Sequence, residues 1–73
     1  MVFNLSKLRG RIIEKFGTYA AFAEVIGKTK STLAGKLSNK SRITADEMVE
    51  WSAPWLLDIP AEEIHVYFLT QKV

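Results

Sequence analysis

Seventy-three residues with no cysteine and a single histidine exclude a disulfide scaffold, a cysteine-rich metal site, a thiol nucleophile and a metal site built from histidines alone. The formal net charge is only +2, but it is unevenly spread. Residues 1–42 carry a balance of +7 and residues 43–73 a balance of −5, so one half is built for a polyanion and the other would be repelled by it. A chain of this length makes one domain and buries only about 60% of its unfolded surface, so its stability is slender. No apolar run approaches the ~18 residues of a membrane span. The start, residues 1–10, lacks the long uncharged core of a signal peptide. The protein therefore reads as soluble and cytoplasmic.

In chain order, Leu5, Leu8, Ile12 and Phe16 recur at three- and four-residue spacing and predict a first helix over Leu5–Phe16. Asn4 is its cap and Gly17 its stop. Gly10 lies inside it and costs ~1 kcal/mol against Ala unless a neighbour packs there. From Thr18 to Leu37 the pattern is two short helices joined by a tight turn. Phe22, Ala23 and Ile26 line one face of the first, and Leu33 and Leu37 one face of the second. Gly27 supplies the positive φ of the sharp turn, and Thr29 caps the helix from Lys30 to Leu37. That is the logic of a helix-turn-helix at about 18–37, whose second helix enters the DNA major groove. The polar loop 38–42 follows; Asn39, Lys40 and Arg42 there suit the phosphate backbone.

Thr44 and Glu47 have the spacing of a capping box and start a fourth helix, with Ile43 placed to staple against Met48. Pro54 must kink or end that helix, which leaves Trp55-Leu56-Leu57 as a second helical piece or a packed turn. Trp51 and Trp55 fill a small core or form a partner surface. Pro60 suits the first position of a last helix, with Glu62 and Glu63 in its first turn and Ile64, Tyr67 and Phe68 on one face. That helix is expected to reach about Phe68 and then give way to a frayed or extended tail. Residues 66–70 are also β-prone, and a short strand pairing across a dimer is the alternative. The fold expected is all-α, a four-to-five-helix domain with an optional short C-terminal extended segment.

The run Phe22-Ala23-Glu24-Val25-Ile26-Gly27 followed by Lys30-Ser31-Thr32-Leu33 resembles the lambda-repressor-like helix-turn-helix family, which includes Cro proteins and phage repressors. The chain from Leu8-Arg9-Gly10-Arg11-Ile12 to Tyr67-Phe68 resembles small Cro-like phage proteins of Gram-positive hosts, some of them modulators of the phage repressor. The resemblance implies a lambda-repressor-like domain. Thr18 and Tyr19 would then abut phosphate, Thr29, Lys30, Ser31, Ala34 and Gly35 would face base edges, and Lys36, Lys40 and Arg42 would contact the backbone. The chain departs from the family pattern at Lys28, which follows the turn glycine where an apolar residue is usual, and at Tyr19, Ala34 and Gly35.

Two functions follow from these readings. The first is an operator-binding regulator of a lysis–lysogeny switch, acting as a homodimer on double-stranded DNA. Its base-reading candidates are Thr29, Lys30, Ser31, Thr32 and Ala34, and its phosphate candidates are Thr18, Tyr19, Lys28, Lys36, Asn39, Lys40 and Arg42. The second is an antirepressor that binds a phage repressor protein through Asp46, Glu47, Glu50, Trp51 and Trp55. An enzyme is not expected: His65 has only Glu62 one turn before it, and no Gly-rich phosphate loop is present. No cofactor, membrane or small-molecule substrate is expected either.

Overall fold

The computed structural model describes residues 3–71. Leu5, Leu8 and Ile12 form a buried stripe on helix α1, Ser6–Phe16. The helix begins one residue later than its apolar pattern predicts. Asn4 acts from two residues away, its Oδ1 accepting from the Ser6 N–H at 3.0 Å, while Leu5 turns into the core. Gly17 ends the helix at φ +83°, with its N–H on the Ile13 carbonyl at 2.9 Å. A Cβ built at Gly10 meets nothing within 4 Å, so no close packing justifies the glycine. Gly10→Ala is therefore expected to stabilise the domain by roughly 0.5–1 kcal/mol. In a domain of this size that raises the thermal midpoint by several degrees, about 4–8 °C per kcal/mol, as scanning calorimetry can check.

Helix α2, Tyr19–Val25, starts where Thr18 Oγ1 accepts from the Ala21 N–H at 3.1 Å. Gly27 then reverses the chain at φ +74°, and Lys28 N–H closes the turn on the Ala23 carbonyl at 2.9 Å. Helix α3, Lys30–Leu37, is capped by Thr29, whose Oγ1 accepts from Thr32 N–H at 3.1 Å. Its Leu33 and Leu37 are buried, together with Phe22 and Ala23 of α2. Helix α4, Ala45–Trp51, carries the full capping box: Thr44 Oγ1 accepts from Glu47 N–H and Glu47 Oε1 accepts from Thr44 N–H.

Helix α4 stops three residues short of Pro54. The stretch after it is a packed turn, with Leu57 N–H on the Trp51 carbonyl and Ile59 N–H on the Ser52 carbonyl, both at 3.0 Å. Asp58 within it takes φ +52°. Pro60 precedes a short 3-10 turn, Ala61–Glu63, and the last α-helix, α5, runs only over Ile64–Phe68. Among the described residues there is no strand. The extended end pairs inside the chain: Phe3 and Gln71 form one antiparallel bridge, and Asn4 N–H donates to the Thr70 carbonyl at 2.7 Å. The rest of the predicted tail, including Lys72, lies outside the described residues.

Four of the five α-helices, α1, α2, α4 and α5, meet on one aromatic line. Phe16 stacks tilted on Phe22 at 5.0 Å between centroids, Phe22 meets Trp51 edge-on at 5.4 Å, and Trp51 reaches Phe68 at 6.2 Å. The fold is all-α; α2 sits on that line, and α3 joins the core through Leu33 and Leu37 with its outer face left open.

Candidate nucleic-acid interface

Burial of Leu33 and Leu37 fixes which side of α3 faces outward. Lys30, Ser31, Thr32 and Ala34 are exposed there, and Gly35 is half-buried between them and the following loop. Thr29 is exposed but occupied: its hydroxyl caps the helix and also donates to Thr32 Oγ1 at 2.9 Å. The Gly35 carbonyl anchors the loop beyond. It accepts from Lys40 N–H at 2.9 Å, from Ser41 N–H at 3.3 Å and from Ser38 Oγ at 3.2 Å. This tight return keeps Lys40 and Arg42 next to the end of α3. Both are exposed, and neither side chain makes an ion pair among the described residues; the same holds for Lys30.

The remaining phosphate candidates have other partners. Lys36 is a correction to the sequence reading. Its side chain is only 13% exposed, and its Nζ donates to Glu47 Oε1 at 2.9 Å and to the Arg42 carbonyl at 3.0 Å. Lys28, 34% exposed, sits 3.6 Å from the other oxygen of the same carboxylate. Asn39 takes the left-handed conformation, φ +65°, and clamps the chain's start. Its Nδ2 donates to the Phe3 carbonyl and its Oδ1 accepts from Phe3 N–H. Thr18 is exposed, with its hydroxyl used as the α2 cap, and Tyr19 is half-buried against the core.

A family model described as "Protein of unknown function (DUF739)" matches residues 1–71. The chain belongs to the DUF739 family. No curated protein matches it.

In this DUF739 chain the acidic half is sorted by the same packing. Glu47, a partner-surface candidate, is instead the centre of the Lys28–Glu47–Lys36 cluster. Burial alone would push its carboxyl up, but the Thr44 N–H and the Lys36 ammonium outweigh this and hold it below the usual value of 4.5. Of the two readings for the tryptophans, Trp51 takes the core-filling one: it is fully buried and offers no surface to a partner. Asp46 and Glu50 are exposed on α4, with Val49, 68% exposed, between them. Trp55 is 80% exposed just beyond. Sequence reasoning missed Val49 and the two arginines of α1. Arg9 Nη1 donates to the Leu37 carbonyl at the end of α3, and Arg11 binds the Leu57 and Asp58 carbonyls.

Among the described residues no three His, Asp or Glu side chains gather as a metal site. No helix there is long and apolar enough to cross a membrane.

Proposed function

We propose that this domain binds duplex DNA through α3 and acts as a small phage-type transcriptional regulator in the bacterial cytoplasm. The observation that carries the reading is the outer face of α3. Lys30, Ser31, Thr32 and Ala34 stand exposed on a helix seated by Leu33 and Leu37, and the unpaired Lys40 and Arg42 follow at its end. Lys30, Ser31 and Thr32 offer hydrogen bonds to base edges, and Ala34 offers a methyl contact to thymine. Lys40 and Arg42 supply sequence-independent attraction to phosphate. The resemblance to lambda-repressor-like and Cro-like proteins supports the same mode. Regulation would be by occupancy, with two copies of the domain placing their α3 helices about 34–36 Å apart on a near-palindromic operator.

Two substitutions separate the roles. Lys30→Ala is expected to change sequence preference and to lose ~1–3 kcal/mol of discrimination at one base position. Lys40→Ala is expected to weaken all duplexes about equally and to flatten the salt dependence by about one phosphate contact. Fluorescence anisotropy with a preferred site and a scrambled duplex checks both, and identical behaviour of the two variants would remove Lys30 from base reading.

A second reading rests on Trp55. An indole 80% exposed, following a helix on which Asp46, Val49 and Glu50 are exposed, fits a protein partner with a basic, partly apolar surface. On this reading the domain is an antirepressor that engages a phage repressor. Trp55→Ala is the matching variant, because it removes that surface without touching the core.

A further inference from the structure

The Lys28–Glu47–Lys36 cluster ties together three pieces of the domain: the turn between α2 and α3, the last turn of α3, and the first turn of α4. Glu47 serves it with both oxygens, Oε1 on Lys36 and Thr44 N–H, and Oε2 on Lys28. Five cations lie between residues 28 and 42, namely Lys28, Lys30, Lys36, Lys40 and Arg42. Among the described residues, only Lys28 and Lys36 of these five carry a carboxylate partner. The sorting is not a matter of exposure alone, since Lys28 remains a third exposed while paired.

We propose that Glu47 limits the sequence-independent affinity of this surface: it withholds Lys36, and in part Lys28, from DNA phosphate, so that binding rests on Lys30, Lys40, Arg42 and the base-facing side chains of α3. This inference rests on the DNA-binding reading above. The physical reason is counterion release. Every cation that reaches a phosphate adds sequence-independent affinity, with a slope of ~0.9 in log K against log salt, and specific and random DNA benefit alike. A cation tied to Glu47 adds nothing to either. The ratio between operator and random DNA is unchanged, while affinity for both falls, and with it the retention of the protein on random genomic DNA. Lys36 is the more strongly held, because a second bond to the Arg42 carbonyl fixes its ammonium.

The test is a salt series of duplex binding by anisotropy, with a random-sequence duplex and the full chain. Glu47→Gln keeps the capping-box geometry, in which Gln substitutes for Glu, but removes the charge that holds the lysines. It is expected to steepen the salt slope by about one and to raise affinity for random duplex about fivefold at 0.15 M salt, the gain for one added phosphate contact. Lys36→Met in the wild-type background is expected to leave the slope unchanged, and in the Glu47→Gln background to cancel most of the increase. Thermal melts of each variant establish that it is folded. If Glu47→Gln does not fold, the single Lys36→Met, which leaves Glu47 paired to Lys28, still decides. A slope that falls by about one in Lys36→Met alone, or an unchanged slope in folded Glu47→Gln, overturns the proposal while leaving DNA binding intact. No binding of any duplex by the wild type overturns the DNA-binding reading itself, and this inference with it.

Discussion

Trp51→Ala is expected to cost about 3–5 kcal/mol and to unfold most of the domain at 37 °C, whereas Trp55→Ala shifts stability by less than about 0.5 kcal/mol. The two residues are four apart and chemically identical, so the contrast isolates packing. Trp51 is fully buried and bridges the edge-on contact to Phe22 and the tilted contact to Phe68. Removing it opens a large cavity at the meeting point of α2, α4 and α5. A domain of this size commands only about 0.05–0.15 kcal/mol per residue of net stability, so the loss is comparable to the whole. Trp51→Phe is expected to cost less. It keeps an aromatic contact and removes a buried indole N–H that finds no acceptor among the described residues. Trp55 is 80% exposed and touches too little to matter for folding. Urea unfolding followed by circular dichroism reads all three variants. Equal losses for Trp51→Ala and Trp55→Ala would contradict the placement of the core.

Arg11→Met is expected to lower stability by about 1.5–3 kcal/mol. Its Nε donates to the Leu57 carbonyl at 2.8 Å, its Nη2 to the Asp58 carbonyl at 2.7 Å, and its Nη1 pairs with Glu14 at 3.1 Å. The guanidinium also lies 5.8 Å from the Tyr67 ring centroid. One planar fork thus pins the turn after α4, including the left-handed Asp58, onto α1. The Glu14 pair and the Asp58 bond are solvent-exposed and contribute less, while the Leu57 carbonyl bond is partly shielded and contributes most. Arg11→Lys is not expected to rescue, because one ammonium cannot reproduce two bonds in a fixed fork. The measurement is the urea midpoint at constant m-value; a midpoint unchanged in Arg11→Met would mean that the turn holds itself.

Local chemistry was legible in the sequence because it is written within four residues. Thr18, Thr29 and Thr44 announce three helix starts, Gly17 and Gly27 mark two reversals, and the 33/37 spacing gives the buried side of α3. What the sequence could not show depends on partners brought together by the fold. Lys36 meets Glu47 eleven residues on, Asn39 meets Phe3 across 36 positions, and Arg11 meets Leu57 across 46. Each of these side chains looks free in the sequence, which is why Lys36 and Asn39 read as phosphate contacts there. The tryptophans were ambiguous for a related reason. On a continuous helix Trp51 and Trp55 would share a face, and only the end of α4 before Pro54 turns Trp55 outward. The last helix came out shorter than predicted because the segment after Pro60 winds first as a 3-10 turn.

The most direct test of the DNA-reading proposal is selection from a random duplex library by the purified protein, with the bound DNA sequenced and binding repeated at two salt concentrations. The expected result is an enriched sequence, near-palindromic if the protein reads as a dimer, whose preference over random DNA survives the higher salt and changes in Lys30→Ala. Weak binding that vanishes with salt and enriches no sequence would contradict it, and would leave the exposed Trp55 and the exposed acidic residues of α4 as the candidate functional surface.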